Sequence, residues 1–188
     1  MKYLITGLGN IGPEYEKTRH NVGFLVLDAL AEELQTTFEP ARYADVARAR
    51  FRGKQLILAK PSTFMNRSGL ALRYWLKKEN IPLDNSLTVV DDIALPLGTL
   101  RVRKKGGDGG HNGLISIIET LATTEFPRLR FGIGDEFPRG YQVDYVLGEW
   151  TPEEKEVIKP KIETSVKIVK SFIGSGIERT MNIYNTKS

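Results

Sequence analysis

The sequence predicts an α/β fold: a single domain over residues 1–188, with a mixed, mostly parallel twisted sheet and helices on both faces, an α/β/α sandwich. Three observations predict it. Strand-like apolar runs alternate with helix-like amphipathic runs over the first two-thirds of the chain, the pattern of strands joined by crossover helices. The strands run into glycine, Asn or Asp, as they do at the ligand-binding end of such sheets. The length, 188 residues, suits one domain with a substantial core.

The elements follow in order. "KYLITGL" at 2–8 is a strand entering glycine, and "NVGFLVLDALAEELQ" at 21–35 carries Val22, Leu25, Val26, Ala29, Leu30 and Leu34 at helical spacing. "DVARARF" and "QLILAK" flank Arg52-Gly53-Lys54 as a hairpin. "SGLALRYWLKKEN" at 68–80 is a helix ending before Pro82, and "SLTVVDD" a buried strand. After "TLRVRKK" comes the glycine-rich "GGDGGHNG" at 106–113, then "NGLISIIETLA" as a helix and "RLRFGIG" at 128–134 as a further strand. "TPEE" at 151–154 combines an N-cap, a first-turn Pro and a capping-box Glu, so a helix starts there, and Pro160 should break or kink it. The tail "SGIERTMNIYN" offers Ile177, Met181 and Ile183 or Tyr184 as a short amphipathic helix, a candidate cover for a groove.

Composition narrows the function classes. With 40% hydrophobic and 27% charged residues the chain is of globular type. There is no cysteine, so disulfides, thiolate metal sites and a cysteine nucleophile are excluded. No signal-peptide core or bilayer-length apolar run is visible, and a cytoplasmic protein without membrane contact is expected. Lys and Arg total 27 against 23 acidic residues, a mild basic bias. Its placement matters more. "RVRKK" at 101–105 stands beside the glycine stretch, and Arg48, Arg50 and Arg52 alternate with apolar residues; each row reads as a solvated strand face or an anion-binding surface, and proximity to the glycines favours the latter for the first.

"GLGNIG" at 7–12 fits a dinucleotide-binding pattern by letters alone. That motif needs a helix opening at the turn, whereas "PEYEKTRH" delays the helix until about residue 21, and Asp28 falls within that helix. The stretch reads better as a tight loop displaying Asn10.

The chain has two histidines, His20 and His111, each followed by Asn. Asn10, Asn66, Asp91 and Asn112 fall with them at strand ends or helix starts, where Asn, His and Asp also serve as caps and turn formers. If they converge, an imidazole, with its ordinary pKa of ~6.5, can take a proton from water while a carboxylate fixes its tautomer. Asn amides can then donate to a developing oxyanion or read a substrate amide. No G-x-S-x-G elbow is present, which argues against serine-hydrolase chemistry. Two His and one Asp could form a facial metal triad, but neither His lies in an H-x-x-x-H or H-E-x-x-H arrangement, and no metal or other cofactor is expected.

"GLGN", "TRHNVGF", "TFMNRSG", "VVDD" with the later "LPLG", "GGHNG", "RLRFGIG" and "YVLG" together resemble the bacterial-type peptidyl-tRNA hydrolases across essentially the whole chain. The resemblance implies a cytoplasmic, monomeric enzyme that needs no metal. Such enzymes cleave the ester between a peptide's carboxyl end and the terminal ribose of peptidyl-tRNA, recycling tRNA that left the ribosome prematurely. It implies His20 as the base and Asp91 as its carboxylate. Asn10, Tyr15, Met65, Asn66, His111 and Asn112 would bind substrate, and Arg101, Arg103, Lys105 and Arg130 would contact tRNA. Ile11, Ala94 and Asp108 depart from the commonest pattern; Asp108 would weaken RNA contact or pair with a neighbouring cation. A noncatalytic RNA-binding module would account for the basic rows and the glycines but not for His20 and Asp91 together.

Overall fold

A computed structural model describes residues 1–185. One sheet of seven strands runs in the order β2-β3-β4-β1-β5-β7-β6. The strands are β1 (Lys2–Gly7), β2 (Glu39–Ala41), β3 (Ala44–Phe51), β4 (Lys54–Pro61), β5 (Ser86–Asp92), β6 (Leu100–Arg103) and β7 (Arg128–Gly132). Central β1 lies parallel to β4 and to β5, and β5 parallel to β7. The margins are antiparallel: β2 and β3 on one side, β6 on the other. The β3–β4 turn places Arg52 at φ 52° and Gly53 at φ 76°. Left-handed residues at both central positions suit the right-handed twist of a hairpin.

Helices α1 (Val22–Glu33) and α5 (Pro152–Ser175) cover one face; α2 (Ser68–Lys78) and α3 (Asn112–Leu121) cover the other. The central strands are therefore buried on both sides, which is why they read as continuous apolar runs. Tyr3 and Ile5 join Val26, Leu30, Val169 and Phe172 on the first face. Leu4 and Leu8 join Leu72, Trp75, Leu114 and Ile117 on the second.

The first glycine motif serves packing. A Cβ on Gly7 would lie 2.3 Å from the Gly23 carbonyl oxygen, and one on Gly23 would lie 2.6 Å from the Leu8 nitrogen. Strand β1 and helix α1 thus touch backbone to backbone, with a loop and a 3-10 turn at Arg19–Asn21 between them.

Three features differ from the expectations. Helix α5 runs unbroken through Pro160, because Ile158 before it and Val166, Val169 and Phe172 after it are all held in the core. Helix α6 (Ile177–Tyr184) does not cover a groove but packs on edge strand β6, where the Asn185 side chain accepts from Val102 N and donates to Val102 O, each at 2.8 Å. Those backbone groups would otherwise be an unpaired sheet edge. Strand β2 and the short helix α4 (Gln142–Val146) add to the elements expected. No helix among the described residues is long and apolar enough to cross a membrane.

Candidate active site

Asp91 is the penultimate residue of strand β5, buried at 2% exposure in the middle of the sheet's C-terminal edge. Two loops bring histidines to it from either side. The turn before α1 supplies His20, whose Nδ1 lies 2.7 Å from Asp91 Oδ2. The glycine loop before α3 supplies His111, whose Nε2 lies 2.8 Å from Asp91 Oδ1. The rings stand 5.0 Å apart between centroids. Burial alone would raise the Asp91 carboxyl; the two imidazoles and their hydrogen bonds outweigh it and hold the group well below the usual carboxylate range. Asp91 is therefore an ionised acceptor.

The two histidines are not equivalent. His111 is the N-cap of α3, and its Nδ1 accepts from the Gly113 and Leu114 N–H groups at 3.0 and 3.3 Å. An acceptor at Nδ1 leaves the ring proton on Nε2, which donates to Asp91, so both nitrogens are engaged. His20 donates through Nδ1, and its Nε2 has no partner among the described residues. The free lone pair thus belongs to His20.

One donor atom from each of His20, Asp91 and His111 lies within 4.8 Å of the others, close enough in principle to hold an ion. The nitrogens facing Asp91 are at hydrogen-bonding distance from its oxygens, so these groups already serve one another as partners.

The turn that carries His20 is anchored on both sides. Arg19, 8% exposed, donates to Tyr145 O at 3.0 Å and pairs with Glu154 at 2.8 Å, and its guanidinium lies 4.2 Å from the Tyr145 ring centroid. Asn21 accepts from Asn10 N at 2.8 Å and donates to Asn10 O at 2.9 Å. Asn10 Oδ1 in turn accepts from Met65 N at 2.7 Å, which fixes the amide orientation and leaves its NH2 without a partner among the described residues.

The sequence-predicted residues fall into two groups around the His20–Asp91–His111 core. On one side a cavity of about 420 Å³ is lined by His20, Asp91, His111, Asn112, Arg103, Lys105 and Arg130 with the glycine loop between them. On the other, Asn10 and buried Met65 are hydrogen-bonded, exposed Asn66 follows Met65, and Tyr15 meets half-exposed Phe64 edge-on at 6.4 Å. Arg101 faces Arg130 across the β6–β7 pairing and does not line the cavity. Arg130 is paired with Asp92, and Lys104 of the same basic row with Glu178. Arg48 of the second basic row pairs with Glu79, whose carboxyl it lowers from its ordinary range through that bond. Asp108 pairs with no cation among the described residues; its carboxylate accepts from Gly110 N at 2.8 Å and shapes the loop.

Sequence reasoning missed Arg19, Asn21, Phe64 and Arg128. Arg128, 1% exposed on β7, donates to the carbonyls of Phe126, Gly107 and Thr124 and thereby ties down the glycine loop. Burial, helped by the charge of Arg130, lowers its pKa to about 10, so it remains a cation at neutral pH.

Comparison with known proteins agrees with this architecture. The sequence profile of the peptidyl-tRNA hydrolase family matches residues 4–188. The peptidyl-tRNA hydrolases of Phocaeicola vulgatus and Bacteroides fragilis are 58% and 57% identical to this chain over 187 residues, covering all of both chains. The crystal structure of peptidyl-tRNA hydrolase from Acinetobacter baumannii superposes with a TM-score of 0.92 at 32% identity, over 97% of this chain and 94% of that one. The fold, the full-length match and the identity to these enzymes place the chain in the peptidyl-tRNA hydrolase family.

Proposed function

We propose that this hydrolase cleaves the ester between the carboxyl end of a peptide and the terminal ribose of tRNA, with His20 as general base and Asp91 as its orienting partner. The observation that carries this reading is the unequal bonding of the two histidines. Both donate to Asp91, but only His20 keeps an unpartnered ring nitrogen, Nε2, beside the cavity.

Water activated by His20 Nε2 attacks the ester carbonyl, and ionised Asp91 stabilises the imidazolium that forms. The imidazolium then returns the proton to the departing ribose oxygen. Asn10 has its amide NH2 to offer because Oδ1 is held by Met65 N–H, and exposed Asn66 and Asn112 add two further amides. Amides so placed supply donors for the developing oxyanion or for the peptide backbone. Tyr15 and Met65 form the wall on that side. Arg101, Arg103, Lys105 and Arg130 take phosphates of the acceptor end, with sequence-independent affinity that falls with salt. The step assigns no role to a metal, and chelator is expected to leave the rate unchanged.

The test is release of a labelled N-blocked aminoacyl group from tRNA, with unblocked aminoacyl-tRNA as control. Wild type should release the blocked group selectively and His20→Ala should not. Equal release by both proteins would remove His20 from the mechanism.

A further inference from the structure

A second cavity, of about 460 Å³, lies away from the His20–Asp91–His111 site and is lined by Arg42, Tyr43, Leu70, Arg73, Tyr74, Lys77 and Lys78. Leu70, Arg73, Tyr74 and Lys77 follow helical spacing, so they form one outward stripe of α2. Arg42 and Tyr43 are the two turn residues between β2 and β3.

Two features of this patch bear on its ligand. The first is its unbalanced charge. Arg42, Arg73, Lys77 and Lys78 have no carboxylate within ion-pair distance among the described residues, as is also true of Arg103 and Lys105 beside the glycine loop. Cations at a helix C-terminus offset the macrodipole, which accounts for Lys77 and Lys78 but not for Arg42 or Arg73.

The second is the set of aromatic and guanidinium planes among those charges. Tyr43 and Tyr74 meet edge-on at 5.5 Å, and the Arg42 guanidinium lies 5.0 and 5.4 Å from their centroids. The arrangement is fixed from beneath by the Trp75 indole N–H, which donates to Arg42 O at 2.9 Å, and by Ser62 N, which donates to Tyr43 O at 2.8 Å. Tyr43 sits at φ 65°, in the left-handed region where Gly or Asn is the low-strain choice in a two-residue turn. The turn thus holds a tyrosine ring at the cavity at a cost in backbone strain.

From these features we infer that this cavity is a second RNA-contacting site, in which a nucleotide of the tRNA stacks on the Tyr43–Arg42–Tyr74 surface while its flanking phosphates take Arg73, Lys77 and Lys78. Unpaired cations interleaved with π faces match a ligand that repeats a charged phosphate and a flat base, and such stacking is tolerant of sequence. The cavity also shares a segment with the candidate active site: Ser62 is bonded to Tyr43, and the chain continues through Phe64, Met65 and Asn66 into α2. The substrate would then be gripped on both sides of the rim, by Arg103, Lys105 and Arg130 on one and by this patch on the other. The assignment rests on the reading of the protein as an enzyme acting on peptidyl-tRNA.

The test compares wild type with Arg73→Gln/Lys77→Gln, two exposed helix positions whose neutralisation leaves the core untouched, and with Tyr43→Asn, which suits the left-handed backbone and removes the ring. Unacylated tRNA is titrated across a salt series, and release of an N-blocked aminoacyl group from tRNA is followed in parallel. The double variant should bind tRNA about tenfold more weakly at ~0.1 M salt, with a salt slope smaller by about 1–2. The loss should fall on KM while kcat stays within twofold, and Tyr43→Asn should weaken binding with the slope unchanged. An unchanged KM and salt slope would overturn the RNA assignment. A KM that rises only when the peptide carried by the tRNA is acidic would also overturn it, in favour of peptide recognition. If wild type releases nothing, the hydrolase reading fails first, and the salt series still reports on the patch by itself.

Discussion

The turn that carries His20 and the loop that carries His111 reach the same carboxylate, but they are built in opposite ways. The first is clamped: Arg19 ties it to Tyr145 and Glu154, and Asn21 ties it to Asn10 through two hydrogen bonds. The second is glycine-rich, with Gly109 and Gly110 at φ 57° and 82° and open space where side chains would be. Its order comes from Arg128 beneath Gly107, from the Asp108 contact to Gly110, and from the His111 cap on α3. The difference separates the roles proposed for the two histidines. In the proposed mechanism the base is held still with one nitrogen free, as His20 is, whereas His111 spends both nitrogens fixing the loop and the carboxylate.

Substitutions that break this contrast should rank accordingly. His20→Ala should have the largest effect, lowering kcat by about 10²–10⁴ with the fold intact, as expected for loss of a positioned base. Asp91→Asn should follow, because an amide can donate and so no longer enforces the His20 tautomer; its kcat should fall by at least ~10² in the same release assay. This variant also tests electrostatics. The Asp91 carboxyl is held below its ordinary range in the folded state, so its contribution to stability is fully present above the unfolded-state value of ~3.9 and is lost as pH falls below it. Acid unfolding followed by circular dichroism should show that part of the wild-type decline missing from Asp91→Asn.

His111→Ala should lower kcat by about tenfold only, and should cost about 1 kcal/mol of stability in a denaturant titration through loss of the α3 cap. His111→Asn should restore the stability, since Asn caps as well, without restoring the rate. Arg19→Met should cost about 1–3 kcal/mol by removing the charged hydrogen bonds to Tyr145 O and Glu154, which keep the Gly148 and Thr151 N–H donors, with a smaller loss of kcat as the turn loosens. Asp108→Gly should have the smallest effect, a gain in tRNA affinity of about twofold at low salt from removing a carboxylate beside the basic surface.

Much of this was legible in the sequence because it is local. Helix α1 shows its apolar period, Thr151 to Glu154 form the capping box expected at the start of α5, and Asp91 lies one residue before the end of β5, with Asn10 and Asn66 in the segments that follow β1 and β4. Both histidines and Asp91 stood out by residue type and by position at element ends, and the structure brings them together. Short elements left no period to read: β2 has three exposed residues, and α4 has five with none buried. The supports of the site were hidden for another reason. Arg19 meets partners 126 and 135 positions away, and buried Arg128 binds backbone carbonyls that any sequence would present. Neither carries a local signal that separates it from a surface cation.

The most direct test of the central claim is a side-by-side comparison of His20→Ala and His111→Ala in release of a blocked aminoacyl group from tRNA at saturating substrate. The account predicts that His20→Ala loses at least tenfold more activity than His111→Ala while both remain folded. Equal losses, or a larger loss for His111→Ala, would contradict the assignment of the free nitrogen of His20 as the base.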